Sequence, residues 1–211
     1  MSGTVTIDRL GHLGDGIAAG PLYAPRTLPG EVVTGTVQGD RLTDIRIVSP
    51  APDRVAPPCR HYRSCGGCAL QHASDRFVAG WKADVVRTAL AAQGLPAPIR
   101  GLATSPPESR RRATFSARRT KSGALIGFHA PASPTLVDTP ECRLVAPALA
   151  AARPALAALV AAGASRKDEM RLTVTALDEG PDIAATGGKP LDAALRARLA
   201  GISEDHGLPR L

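Results

Sequence analysis

Aromatic side chains are scarce in this protein: three Phe, two Tyr and one Trp make up 3% of its 211 residues. A core of ordinary size must then be built from Ala, Leu, Val and Ile, and the 44% hydrophobic content supplies them. No apolar run approaches the roughly 20 residues of a membrane span, which argues against a helical membrane protein. The N-terminus places Asp8 and Arg9 inside a short alternating run, not a basic segment followed by an apolar one. No signal peptide is read there, and the cytoplasm is the expected compartment. Cysteine is limited to four residues. Thiols stay reduced in that compartment, so a cysteine cluster points to a metal or to catalysis rather than to disulfides.

Acidic residues are few in one part of the chain only. Residues 1–58 carry five Arg against six Asp/Glu, and residues 144–211 carry eight basic against eight acidic residues. Residues 59–143 carry thirteen Lys/Arg against five Asp/Glu, so the whole net charge of +7 is owed to this middle segment. A local excess of that kind suits a polyanion, most simply nucleic acid.

What is present divides the chain. Thr4–Leu10, Leu22–Ala24, Glu31–Val37 and Arg41–Val48 read as short strands punctuated by Gly and Pro, which suggests a small β barrel over residues 1–50. Gly14-Asp15-Gly16-Ile17-Ala18-Ala19-Gly20 fails as a dinucleotide loop. Its glycine spacing is one residue too long, and Pro21 stands where a helix should open. Pro50, Pro52, Pro57 and Pro58 make residues 51–58 a predicted linker. Residues 59–211 are then an α+β domain. Its expected elements begin with a helix from Ser74 to Gln93, closed by Gly94 and Pro96, with Trp81 on its core face. Strands follow over Arg110–Arg119, Ala124–Phe128 and Thr135–Val137, then an Ala/Leu-rich helix over Pro147–Ala162 that Pro154 kinks or divides. Met170–Ala176 and Asp182–Thr186 read as paired strands, and Leu191–Ile202 as a last amphipathic helix. In Arg110–Arg119 the alternation puts Arg110, Arg112, Thr114, Ser116 and Arg118 on one face and Ala113, Phe115 and Ala117 on the other. Arg110, Arg112 and Arg118 are therefore the candidate RNA-binding residues.

The cysteines carry the most chemistry. Cys59, Cys65 and Cys68 follow C-x5-C-x2-C, and Cys142 lies beyond a further 73 residues. Gly66 and Gly67 let the loop fold tightly. Thiolates are soft ligands that select zinc or iron–sulfur. Structural zinc sites usually pair two knuckles, and only one is present here. Three clustered cysteines with one remote cysteine fit a [4Fe–4S] cluster better, with Cys59, Cys65, Cys68 and Cys142 as the metal ligands. His61 and His72 lie nearby, but four cysteines already complete the set.

The run Cys59…Cys65-Gly66-Gly67-Cys68-x-Leu70-Gln71-His72 resembles the signature of the RNA 5-methyluridine (uracil-C5) methyltransferases, which depend on S-adenosylmethionine. Ile7-x-x-Leu10-Gly11-His12-x-Gly14-Asp15-Gly16-Ile17-Ala18, with Leu28-Pro29-Gly30-Glu31-x-Val33, is similar to the family's TRAM domain, an OB-like barrel. Arg111-Arg112-Ala113-x-Phe115, Gly127-Phe128 and Val137-Asp138-x-x-Glu141-Cys142 are similar to its central domain. The resemblance implies a [4Fe–4S] cluster on the four cysteines and tRNA or rRNA as partner. No membrane and no DNA are expected as partners, and a monomer is expected. It also implies a Rossmann-like domain that binds S-adenosylmethionine and supplies a cysteine nucleophile; no counterpart is read in this chain. All four cysteines are committed to the metal, so no catalytic residue and no S-adenosylmethionine site are assigned, and S-adenosylmethionine is expected only in the full-length enzyme. The alternative is a stand-alone RNA-binding module with a structural metal site on the four cysteines, zinc or iron–sulfur, and no catalysis.

Overall fold

The computed structural model describes residues 4–95 and 97–211. They form two compact units: one from the N-terminal segment up to Pro58 together with Cys68–Thr104, the other from Cys59–Gly67 and Ser105–Leu211.

The first unit contains a closed five-stranded barrel. Its strands are β1 (Val5–Leu10), β2 (Gly16–Ala18), β3 (Leu22–Ala24), β4 (Val32–Gln38) and β5 (Arg41–Ser49), in the order β1-β2-β3-β5-β4. Pairing of β1 with β4 closes the ring, so the barrel leaves no open sheet edge. Alternate residues of these strands fill it: Ile7, Ala18, Ala24, Val33 and Leu42 form the core. The glycine run that fails as a dinucleotide loop builds the barrel instead. Gly14 turns the chain at φ 93°, a left-handed conformation that glycine adopts without strain. Gly16 opens β2 where a Cβ would overlap the Thr27 hydroxyl and the Ile7 side chain. β2 is the barrel strand that alternation does not reveal, because all three of its residues are buried.

Helix α1 (Asp75–Ala92) belongs to this unit. Ser74 caps it, its hydroxyl accepting from the Phe77 N–H at 3.2 Å, and Asp75 complements the helix dipole in the first turn. The helix ends at Gln93, and Gly94 follows at φ 68°; Pro96 lies outside the described residues. Phe77, Val78, Trp81 and Leu70 pack on a second cluster made of Leu10, Leu28, Ala51 and Ala73. Trp81 is thus a packing residue of the core, as its helical spacing suggests.

Residues 51–58, expected as a linker, are tied down within this unit. The tie is Glu31, whose side chain is fully buried. Its carboxylate accepts from the Leu28 N–H at 2.8 Å, the Ala51 N–H at 3.2 Å and the Arg54 Nη2 at 2.7 Å, and Arg54 Nε donates as well. Arg54 Nη2 also donates to the Arg26 carbonyl at 2.9 Å. Val55 N–H donates to the His72 carbonyl, and Ser74 bonds Asp53 through both backbone and side chain. Prolines stop regular structure here, but side chains hold the segment in place.

The second unit is a five-stranded antiparallel sheet with helices against one face. Its strands are β6 (Arg112–Arg119), β7 (Ala124–His129), β8 (Leu136–Asp138), β9 (Met170–Leu177) and β10 (Gly180–Thr186), in the order β10-β9-β6-β7-β8. The Ala/Leu-rich segment divides at Ala152 into α2 (Pro147–Ala151) and α3 (Arg153–Gly163). Pro154 falls in the first turn of α3, where its missing N–H costs no helical bond. Leu149, Leu156, Leu159 and Val160 of these helices pack on Ala113, Phe115, Ala117, Ile126, Leu172 and Val174 of the sheet. Helix α4 (Ala193–Asp205) is capped by Asp192, which accepts from the Leu195 N–H at 2.7 Å; only Leu199 and Ile202 lean on the same core. Among the described residues no helix is long and apolar enough to cross a membrane.

Candidate metal centre and nucleic-acid face

Three of the four cysteines lie in the second unit: Cys59 and Cys65 in its N-terminal segment, and Cys142 after β8. Cys68 opens the second segment of the first unit. The Cys59–Cys65 stretch is a pair of tight turns, with the Tyr62 N–H donating to the Cys59 carbonyl and the Ser64 and Cys65 N–H groups to the His61 carbonyl. The loop is anchored on the sheet by the Gly66 N–H, which donates to the His129 carbonyl at 2.8 Å. Here a Cβ on Gly66 would stand 2.8 Å from that carbonyl and 3.0 Å from the Pro131 nitrogen, both rigid backbone, so the position requires glycine. Gly67 N–H donates to the Cys65 sulfur at 3.3 Å. On the Cys142 side, Arg60 reaches across to both carboxylate oxygens of Glu141 at 3.0 and 3.2 Å.

The thiols of this unit feel one another. Burial pushes the Cys65 thiol up, the Gly67 N–H opposes it, and the neighbouring Cys142 and Cys59 sulfurs push it up further. A soft metal reverses that balance, since a coordinated thiol is held as thiolate. No disulfide joins the four cysteines. Among the described residues, no group of three or more His, Cys, Asp or Glu side chains is arranged to hold a single metal ion. The donor set is nonetheless the soft one that iron–sulfur or zinc requires. His61 Nε2 is buried in the cysteine turn without a hydrogen-bond partner among the described residues. His72 is elsewhere, buried in the first unit with its Nε2 3.5 Å from the Thr27 carbonyl.

The face of the sheet opposite the helices is polar. On β6 it presents Arg112, Thr114, Ser116 and Arg118, while Ala113, Phe115 and Ala117 are buried. Arg110 precedes the strand, in a bridge to Val145. Arg118 is partly engaged: its guanidinium lies 4.0 Å from Glu169, and its Nε is buried without a partner among the described residues. Glu169 also pairs with His129 Nε2 at 2.9 Å. Burial acts to raise the Glu169 carboxyl, but Ser116, His129 and Arg118 outweigh it and hold it below its ordinary value. β9 lies beside β6 and adds Arg171, Thr173 and Thr175. Arg171 is the basic residue of this face that sequence reasoning missed. The alternation of Met170–Ala176 contains it, but only the pairing of β6 with β9 shows that it shares a surface with Arg112.

An uncharacterized RNA methyltransferase of Rhizobium meliloti is 39% identical over 219 residues, an alignment that takes in 100% of this chain and 53% of the relative. One from Caulobacter vibrioides is 42% identical over 95% of this chain and 52% of its own length. The 23S rRNA (uracil(1939)-C(5))-methyltransferase RlmD of Alkalilimnicola ehrlichii is 33% identical over 97% of this chain and 49% of its own length. Along nearly its whole length the chain is homologous to proteins named RNA methyltransferases. It spans about half the length of the curated relatives it matches. No family model matches the chain. This methyltransferase relationship covers both units, the cysteine loop and the polar sheet face together, because the alignments run along nearly the whole chain.

Proposed function

We propose that this chain is the RNA-binding, iron–sulfur-carrying N-terminal portion of an S-adenosylmethionine-dependent uracil-C5 methyltransferase of tRNA or rRNA. The observation that carries the reading is the return of Cys142, across 73 residues of sequence, to the unit that holds the Cys59–Cys65 turns and the arginine-bearing sheet. With Cys68, which follows Gly67 directly, these are the four residues that would hold the cluster. A bound [4Fe–4S] cluster supplies thiolate cross-links between distant segments and a one-electron redox couple. The cross-link is the role this chain favours, since closing a long loop removes entropy from the unfolded chain.

The protein's own residues do the rest. Gly66 and Gly67 admit the close turn, the Gly67 N–H stabilises charge on the Cys65 sulfur, and Arg60–Glu141 aligns the Cys142 segment. Arg112 and Arg171, with Arg110 and Arg118 beside them, attract RNA phosphates. Methyl transfer is assigned to no residue here: with the thiols committed, none remains to attack a uracil.

The test is purification without oxygen followed by metal analysis. About four irons per chain with a brown colour is the expected result, together with RNA binding that weakens as salt rises. A colourless protein carrying one zinc per chain would replace the cluster with a structural zinc site, and the absence of RNA binding would remove the functional reading.

A further inference from the structure

The polar face of the second unit lacks one thing that RNA-binding sheets commonly use. Among the described residues it carries no Phe, Tyr or Trp: Phe115 and Phe128 pack together on the helix side with ring centroids 5.3 Å apart. The large aromatic platforms on which RNA-binding sheets stack bases are thus absent from its described residues. What it carries instead is an ordered strip. The register pairs Arg112 with Thr175, Thr114 with Thr173 and Ser116 with Arg171. Each arginine therefore stands opposite a hydroxyl, and the two arginines flank a central threonine pair whose Oγ1 atoms lie 2.9 Å apart. Successive residues of the strip on one strand are about 7 Å apart, two residues of antiparallel rise.

The charges of the face select this strip. Asp182 is engaged by Arg210 through bonds of 2.6 and 3.1 Å, and Glu169 by the Ser116 hydroxyl, His129 and Arg118. Arg112 and Arg171 form no ion pair among the described residues. They stand at either end of a row of hydroxyls, Arg112 within electrostatic reach of Asp182, whose hydrogen bonds go to Arg210. In the central pair one hydroxyl hydrogen is shared, which leaves another hydroxyl hydrogen and several lone pairs to offer.

Resting on the RNA-binding reading above, we propose that the strip Arg112, Thr114, Ser116, Arg171, Thr173 and Thr175 holds the sugar–phosphate backbone of a single RNA strand, with the arginines on phosphates and the Thr114–Thr173 pair on a ribose 2′-hydroxyl. The face then distinguishes RNA from DNA and is indifferent to base identity. Arginine on phosphate carries no sequence information. The 2′-hydroxyl is both donor and acceptor, which a hydroxyl pair matches, and it is the group that separates the two nucleic acids at one site.

The experiment compares the full chain's affinity for a single-stranded RNA oligonucleotide and for DNA of the same sequence at one salt concentration. RNA binds more tightly in the natural protein. Thr114→Val with Thr173→Val keeps shape and strand propensity. It lowers RNA affinity about three- to tenfold and leaves DNA affinity unchanged, the effect of losing one or two modest hydrogen bonds. Thr114→Ser with Thr173→Ser retains the hydroxyls and the RNA preference, so a loss of preference there overturns the proposal even if the valine variant folds poorly. Arg112→Ala with Arg171→Ala lowers RNA and DNA affinity alike. RNA preference that survives in the valine variant refutes the hydroxyl assignment while RNA binding stands. Failure of the full chain to bind either oligonucleotide removes this inference and the RNA-binding reading together, and leaves the face to a protein partner.

Discussion

Replacing Glu31 by leucine is the sharpest test of how the first unit is held together. The substitution removes the acceptor for two backbone N–H groups, those of Leu28 and Ala51, and for the Arg54 guanidinium. The Arg54 side chain is only 23% exposed, so water recovers little of what it loses. Removing one partner of a buried ion pair costs about 3–5 kcal/mol. A second substitution separates the contributions. Glu31→Leu with Arg54→Met eliminates the stranded charge but leaves both N–H groups without an acceptor, each at a cost of about 1–3 kcal/mol. The double variant is therefore expected between the single variant and the natural protein, about 2 kcal/mol or more below the latter. Urea unfolding followed by the fluorescence of Trp81 measures this, since the chain's single tryptophan sits on α1 against the barrel-side cluster. A single variant within about 1 kcal/mol of the natural protein would refute the argument that Glu31 anchors residues 51–54. A double variant as stable as the natural protein would confine the role to the ion pair and remove it from the backbone.

Acid should destabilise the same unit in two stages. His72 is held below its ordinary pKa by burial first and by Arg54 next, so it resists protonation when folded. Its contribution is complete above about pH 6.5, the unfolded value, and is lost as pH falls toward the folded one. The Glu31 carboxyl, raised by burial but lowered further by Arg54 and the Leu28 and Ala51 N–H groups, is also depressed. Its share is lost below about pH 4.3 as pH falls through the folded value. The urea midpoint should decline in both ranges, and His72→Gln should flatten the upper one; a midpoint flat from pH 7 to pH 5 refutes the His72 part. Gly66→Ala should displace the cysteine loop from the His129 carbonyl, costing about 1–3 kcal/mol and lowering iron content after anaerobic reconstitution; normal iron content would show that the anchor is dispensable. Arg112→Ala and Arg171→Ala should each weaken RNA binding and reduce its salt slope by roughly one, whereas Arg118→Ala, already engaged by Glu169, should do less. An Arg118 effect larger than both would move the RNA contact toward the His129 end of the sheet.

Much of the architecture was legible because it is local. The cysteine spacing, the Ser74 cap, the division of the 147–163 segment near Pro154 and the alternation of β6 each follow from residues within a few positions of one another. Local rules place Ala113, Phe115 and Ala117 in the core and Arg112 on the opposite face, and the structure agrees. Tertiary structure alone decided three things. Glu31 reads as the polar first residue of a strand, yet the Leu28 turn and the Ala51–Arg54 segment converge on its buried carboxylate, so a proline-rich stretch becomes a fixed part of the first unit. α1 follows the cysteines in sequence but packs with the barrel-side cluster, because its apolar stripe fits Leu10, Leu28 and Ala51. Arg171 joins Arg112 only because β6 pairs with β9 rather than with a sequence neighbour alone. Periodicity tells which face a side chain occupies, but not which strand lies next to it; that choice is made by the packing of both strands on α2 and α3, and it is what sets the arginines at either end of a row of hydroxyls.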